Sequence, residues 1–108
     1  MPQAADTIAE LYATLVERKS ADPASSYVAG LYAKGLDHIL KKVGEEATET
    51  VVAAKGGDRK ALVHELADLW FHSLVLMAAK NITPAELSAE LTRRMGRSGL
   101  AEKMARTT

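Results

Sequence analysis

Two acidic clusters set on either side of a glycine turn constrain this chain more than any other feature. Glu45-Glu46-Ala47-Thr48-Glu49 precedes Gly56-Gly57, and Glu65-Leu66-Ala67-Asp68 follows it. Both clusters lie in segments with helical periodicity. Leu36, Ile39, Leu40, Val43, Ala47, Val51 and Ala54 gather on one side of a helix spanning Leu36 to Lys55. Asp58 is the expected N-cap of a following helix from about Arg59 to Lys80, with Leu62, Leu66, Leu69, Trp70, Ser73 and Met77 as its main apolar stripe. Helices joined by so short a turn run antiparallel. Glu49 is seven residues before Gly56 and Glu65 eight after Gly57, so the clusters reach similar heights.

Four or five carboxylates then share one small volume. Like charges at that range repel, and partial burial strips their hydration, so the arrangement is costly unless a cation neutralises it. Glu46-x-x-Glu49 and Glu65-x-x-Asp68 each place two acids on one helix face. All-oxygen donors suit Mg²⁺, which keeps waters and substrate phosphates in its shell. His64 and His72 have no second His or Cys at zinc spacing and are expected as ordinary surface or packed histidines. The residues point to Mg²⁺-dependent hydrolysis of a phosphate chain. Phosphate would be bound through metal and Lys or Arg side chains, because no Gly-rich phosphate-loop signature is present.

The 108 residues fit a single domain, and an apolar fraction of 47% with only 5% aromatics favours an all-α fold. A formal net charge of zero argues against a nucleic-acid binder that relies on global positive charge. There is no Cys, which suits a cytoplasmic location. No uninterrupted apolar run approaches the roughly 20 residues of a membrane span, and Met1 to Glu10 lacks the pattern of a signal peptide.

Elsewhere, Ile8, Leu11, Tyr12 and Leu15 mark a first amphipathic helix near Asp6 to Arg18, with Asp6 as the expected N-cap. Ser20 to Ser26 reads as a loop. The Ser26 to Gly35 segment is expected as a short helical turn on the core; the functional alternative is a substrate-facing segment carrying Ser26 and Lys34. Gly44 leaves room for a close neighbour, a helix or a ligand. From Leu66 to Ala79 the chain is apolar nearly all round, with Phe71, Val75 and Ala78 on the side that should be wet. A small monomer has little material to cover both sides, so a helix-packed homo-oligomer is expected, dimer or tetramer. Thr83, Pro84 and Glu86 open a further helix with Leu87 and Leu91 as its buried face, followed by Arg93, Arg94 and Arg97. The basic tail from Leu100 to Thr108 is expected as a frayed helix or a disordered end.

Lys41-Lys42-Val43-Gly44-Glu45-Glu46-Ala47-Thr48-Glu49 and Glu65-Leu66-Ala67-Asp68-Leu69-Trp70-Phe71-His72 closely resemble the phosphoribosyl-ATP pyrophosphohydrolases of histidine biosynthesis. These belong to the all-α, MazG-like nucleoside triphosphate pyrophosphohydrolases. The likeness extends from Ser26-Tyr27 through the fourth helix, although Val28 and Gly30 depart from the family pattern after Ser-Tyr. The resemblance implies a four- to five-helix bundle completed by homo-oligomerisation, and hydrolysis of phosphoribosyl-ATP to phosphoribosyl-AMP and pyrophosphate with Mg²⁺. It implies that Glu46, Glu49, Glu65 and Asp68 hold the metal with Glu45 assisting, and that Glu45 or Glu46 accepts a proton. Lys42, Lys55, Lys34, Ser26 and Arg94 would meet the substrate. Two other readings are a house-cleaning nucleotide pyrophosphohydrolase and a non-catalytic helical interaction module.

Overall fold

Residues 4–96 and 99–107 are described by the structure, a computed structural model of the chain. They form α1 (Ala4–Glu17), a 3₁₀ turn (Arg18–Ser20), α2 (Tyr27–Lys34), α3 (Leu36–Gly56), α4 (Arg59–Ala79), α5 (Pro84–Met95) and α6 (Gly99–Thr107). The all-α expectation holds, and no strand occurs among the described residues. Among the described residues the helices number six rather than four or five, because the segment after Ser26 and the tail are each helical.

Caps explain most of the boundaries. Ser26 begins α2 by accepting from the Ala29 N–H at 3.2 Å, satisfying a donor that the first turn leaves unpaired. Gly35, at φ 98°, ends α2 and allows α3 to start at once in a new direction. Gly57, at φ 82°, is the left-handed residue that closes α3. Asp58 then accepts from the N–H groups of Lys60 (3.0 Å) and Ala61 (3.2 Å) to open α4. Thr83 and Glu86 form the reciprocal capping box of α5, with Pro84 in its first turn. Asp6 is not a cap: α1 begins at Ala4, which puts Asp6 inside the first turn, where its charge still favours the positive helix end.

The α3–α4 hairpin is the most extensive helix pair, and α1, α2 and the start of α3 wrap the C-terminal half of α4. The core is Leu15, Val28, Leu31, Ile39, Leu74, Val75 and Ala78. Burying a side chain such as Leu74 contributes about 1.5–3 kcal/mol. The Tyr32 hydroxyl, at the edge of this core, donates to the Leu15 carbonyl at 2.8 Å, tying α2 to α1. Burial raises the Tyr32 pKa and the neighbouring Tyr12 adds to the effect. At the far end of α4, Asn81 takes the left-handed conformation (φ 58°) and its side chain accepts from Lys19 at 3.1 Å.

Burial reverses part of the expected pattern. Val75 and Ala78, on the side expected to be wet, are 0% exposed, whereas Leu66 and Trp70 of the main stripe are 38% and 50% exposed. Leu87 and Leu91 of α5 are also open, because α5 touches the bundle along only part of its length. A side chain at Gly44 would meet nothing within 4 Å among the described residues, so no close neighbour among them requires that glycine. Arg97 lies outside the described residues. α4 has the length and hydropathy (1.2) of a membrane span, yet Glu65 and Asp68 interrupt it and it forms the bundle's central packing surface.

Candidate active site

The hairpin brings the acidic clusters together. Glu46 and Glu49 on α3 and Glu65 on α4 each offer a carboxylate oxygen, all within 4.8 Å of one another. Glu46 is only 5% exposed. Its Oε1 lies 3.5 Å from Lys42 Nζ. Its Oε2, and Glu65 Oε2, are buried with no hydrogen-bond partner among the described residues. An unsatisfied buried oxygen costs about 1–3 kcal/mol, and more when it carries charge. Two of them in a group of three acids form a cradle that a hard cation with oxygen ligands would relieve.

Asp68 enters this group through Glu65. His64, Glu65 and Asp68 form a second set of donors, also within 4.8 Å, with His64 Nε2 3.3 Å from Asp68 Oδ2. The four expected ligands therefore fall into two overlapping sets that share Glu65, rather than one. His64 is a neighbour that sequence reasoning set aside. Its i, i+4 spacing to Asp68 was the available signal.

Beside the acids lies a cleft of ≈360 Å³ lined by Tyr27, Lys42, Glu46, Asp68, Phe71 and His72. Burial works against the charge on Lys42, but the Tyr27 phenol, Glu45 and Glu46 outweigh it and hold its pKa above the ordinary lysine value. Lys42 is therefore a fixed positive charge at the mouth of an acidic cradle. One wall of the cleft is aromatic: Phe71 and His72 meet edge to face (5.3 Å between centroids, 73°), and Tyr27 stands against both.

The remaining expected residues scatter. Glu45 is turned outward, 3.8 Å from Lys41 and 3.6 Å from Lys42, and does not line the cleft. Ser26 and Lys34 line a neighbouring pocket of ≈390 Å³ together with Pro23, Tyr27 and Gly30. Lys55 is exposed near the end of α3. Arg94 sits on α5, where it donates to Glu90 at 3.2 Å. Tyr27 and His72 emerge instead. His72 is 5% exposed, and its Nε2 lies 2.8 Å from the Tyr27 hydroxyl. A histidine in an apolar helix usually signals packing, and Tyr27 sits in a segment read only for Ser26 and Lys34, so sequence alone gave little reason to pair them.

An all-α hairpin that aims clustered carboxylates at a cleft holding a lysine defines the class of helical nucleotide pyrophosphohydrolases. Within that class the chain belongs to the phosphoribosyl-ATP pyrophosphohydrolase family, whose model matches residues 8–95. It is 59% identical over 97 residues to the phosphoribosyl-ATP pyrophosphatase of Methylibium petroleiphilum, covering 90% of this chain and 81% of that protein. The protein of the same name from Novosphingobium aromaticivorans is 58% identical over 102 residues (94% and 95% of the two chains). That from Geobacter metallireducens is 54% identical over 101 residues (94% and 93%).

Proposed function

We infer that the protein hydrolyses phosphoribosyl-ATP to phosphoribosyl-AMP and pyrophosphate, a step of histidine biosynthesis. The observation that carries this reading is the cradle of Glu46, Glu49 and Glu65, with two buried oxygens lacking partners, in a chain that matches the family over most of its length. Glu46, Glu49 and Glu65 would hold Mg²⁺, with Asp68 completing the set from the adjoining donors. When bound, the ion supplies Lewis acidity: it offsets phosphate charge and makes water more acidic.

The chain's own groups do the rest. Lys42 meets the phosphate oxygens as a charge that does not titrate near neutrality. Glu46 is better placed than Glu45 to accept the proton of the attacking water, because it lines the cleft and Glu45 does not. Tyr27, Phe71 and His72 form the aromatic wall of the same cleft. Lys34 and Ser26 would meet the substrate from the adjoining pocket. Lys55 and Arg94 line neither cavity, and contact with the substrate would come from outside both.

A homodimer or homotetramer belongs to this reading. Val51, Val63, Leu66, Trp70, Leu91 and Met95 are 38% to 84% exposed, apolar side chains that a second copy of the chain would cover. A cytoplasmic location also belongs to it, since a substrate bearing several phosphates does not cross a bilayer unaided.

The test is pyrophosphate release from phosphoribosyl-ATP and from a panel of deoxynucleoside triphosphates, with Mg²⁺ and with chelator. Release from phosphoribosyl-ATP alone, abolished by chelator, is expected. Preference for a deoxynucleotide would move the protein to the house-cleaning group, and no release from any substrate would leave an interaction module. Light scattering on an eluting peak should give a mass of at least twice 11.6 kDa.

A further inference from the structure

Tyr27 lines both cavities: the cleft with Lys42, Glu46 and Asp68, and the pocket with Ser26 and Lys34. It is 57% exposed, too open for a core residue, yet its hydroxyl is bound to a side chain that is 5% exposed. His72 Nδ1 lies 2.8 Å from the Asp68 carbonyl oxygen, which can only accept, so Nδ1 carries the hydrogen. In the neutral ring Nε2 is then an acceptor, and the Tyr27 hydroxyl at 2.8 Å must donate to it. In that arrangement the Tyr27 proton points to His72. What the phenol oxygen still offers, at the boundary between the two cavities, is lone pairs. The ring contacts with Phe71 (6.5 Å, 31°) and His72 (5.8 Å, 88°) hold its plane.

We propose that Tyr27 is a specificity-determining residue that accepts a hydrogen bond from a hydroxyl or amino group in the ribose–base portion of the substrate, and that His72 is the positioning residue that fixes the Tyr27 proton away from it. The proposal rests on the hydrolase reading above. An acceptor repels bare phosphate oxygens, so Tyr27 sorts the substrate: phosphates lie towards Lys42 and the acids, and the donor-bearing part lies across the ring towards the Ser26–Lys34 pocket. Donors from a sugar hydroxyl and from a base amine share this chemistry, and substrate analogues separate them.

The experiment compares wild type, Tyr27→Phe, His72→Phe and the double variant. Steady-state kinetics are measured with phosphoribosyl-ATP, together with inhibition by phosphoribosyl-AMP and by pyrophosphate. Tyr27→Phe keeps the ring at an exposed position but leaves His72 Nε2 without its partner, so Tm and circular dichroism are recorded with it to separate a loss of fold from a loss of the hydroxyl. It should raise KM and the inhibition constant of phosphoribosyl-AMP roughly tenfold, the size of one lost hydrogen bond, with kcat within about threefold and pyrophosphate inhibition unchanged. His72→Phe should give the same split, and the double variant should be no worse than either single one. If His72→Phe fails to fold, Tyr27→Phe alone decides. Repeating the inhibition series with deoxyribose and deaminated product analogues assigns the donor: the analogue lacking it should be indifferent to Tyr27→Phe. An unchanged KM in Tyr27→Phe, a fall in kcat instead, or equal loss of pyrophosphate binding would each overturn the proposal while wild-type turnover leaves the hydrolase reading standing. Absence of wild-type turnover would overturn both.

Discussion

Leu74, Val75 and Ala78, towards the C-terminal end of α4, are 1%, 0% and 0% exposed, whereas Val63, Leu66 and Trp70, earlier in the helix, are 60%, 38% and 50% exposed. Both groups of side chains are apolar. They differ in what surrounds them: Leu15 of α1, Val28 and Leu31 of α2 and Ile39 of α3 close over the first group. The second group faces the later part of α3, where Val51 and Val52 are themselves 68% and 66% exposed. The carboxylates of Glu65 and Asp68 lie in the open half, and His72 marks the passage into the packed one. The core is concentrated at one end of a single helix, and the acids of the proposed site lie towards the other. A hydrolytic site needs access for a charged substrate, which a packed core excludes.

That contrast can be attacked from either end. The largest effect should come from Glu49→Gln, which removes charge from the cradle without touching the core. We expect kcat for pyrophosphate release to fall by roughly 10²–10³-fold or more, with circular dichroism and Tm close to wild type. A large loss of Tm would mean that the open end also carries the fold. Next, Leu74→Ala should cost about 2–5 kcal/mol in denaturant unfolding, because the cavity it leaves is walled by packed neighbours. At subsaturating denaturant its kcat per folded molecule should stay near that of wild type.

Glu65→Gln should stabilise the metal-free protein by on the order of 1 kcal/mol, since it removes one of the crowded charges and gives a buried oxygen a less costly replacement. Excess Mg²⁺ should reverse the order, because the ion stabilises the wild type by binding it. Thermal melts in chelator and in Mg²⁺ check this, and an unchanged ranking would count against the cradle as a cation site.

The smallest effect concerns α5. Hydrogen bonds from Arg93 first, then Arg94, hold the Glu90 carboxyl down to about 2, against an ordinary value of 4.5. A depressed carboxyl stabilises the fold above its unfolded pKa, and that contribution is lost as pH falls from about 4.5 through about 2. Glu90→Gln should therefore slightly flatten the acid limb of the Tm–pH curve and leave turnover at neutral pH unaltered. The carboxylate is 43% exposed, and solvent screening keeps the effect small.

Local chemistry made most of the elements legible. The Thr83–Glu86 capping box, the Asp58 cap and the Gly57 stop depend on a few adjacent residues, and each occurs where the sequence puts it. Asp6 failed as a cap because helix propensity carries α1 back to Ala4, a boundary no periodicity marks. In the site, Glu46, Glu49 and Glu65 were legible from spacing on two helices and a short turn, and they converge. Glu45 was less so: a residue one position from Glu46 points about 100° away around the helix, towards Lys41 and Lys42. Tyr27 and His72 were not legible, because 45 positions separate them and only packing of α2 against the hairpin brings them together.

The sequence by itself determined an all-helical chain, a hairpin about Gly56-Gly57, and a set of acids on facing sides of it, because these follow from backbone periodicity, turn chemistry and side-chain spacing. Tertiary structure alone decided which apolar side of α4 is buried, which carboxylate oxygens lose their partners, and which aromatic ring stands at the mouth of the cleft. Those outcomes depend on contacts between segments remote in the chain, and a hydrophobic residue carries no record of which neighbour will cover it.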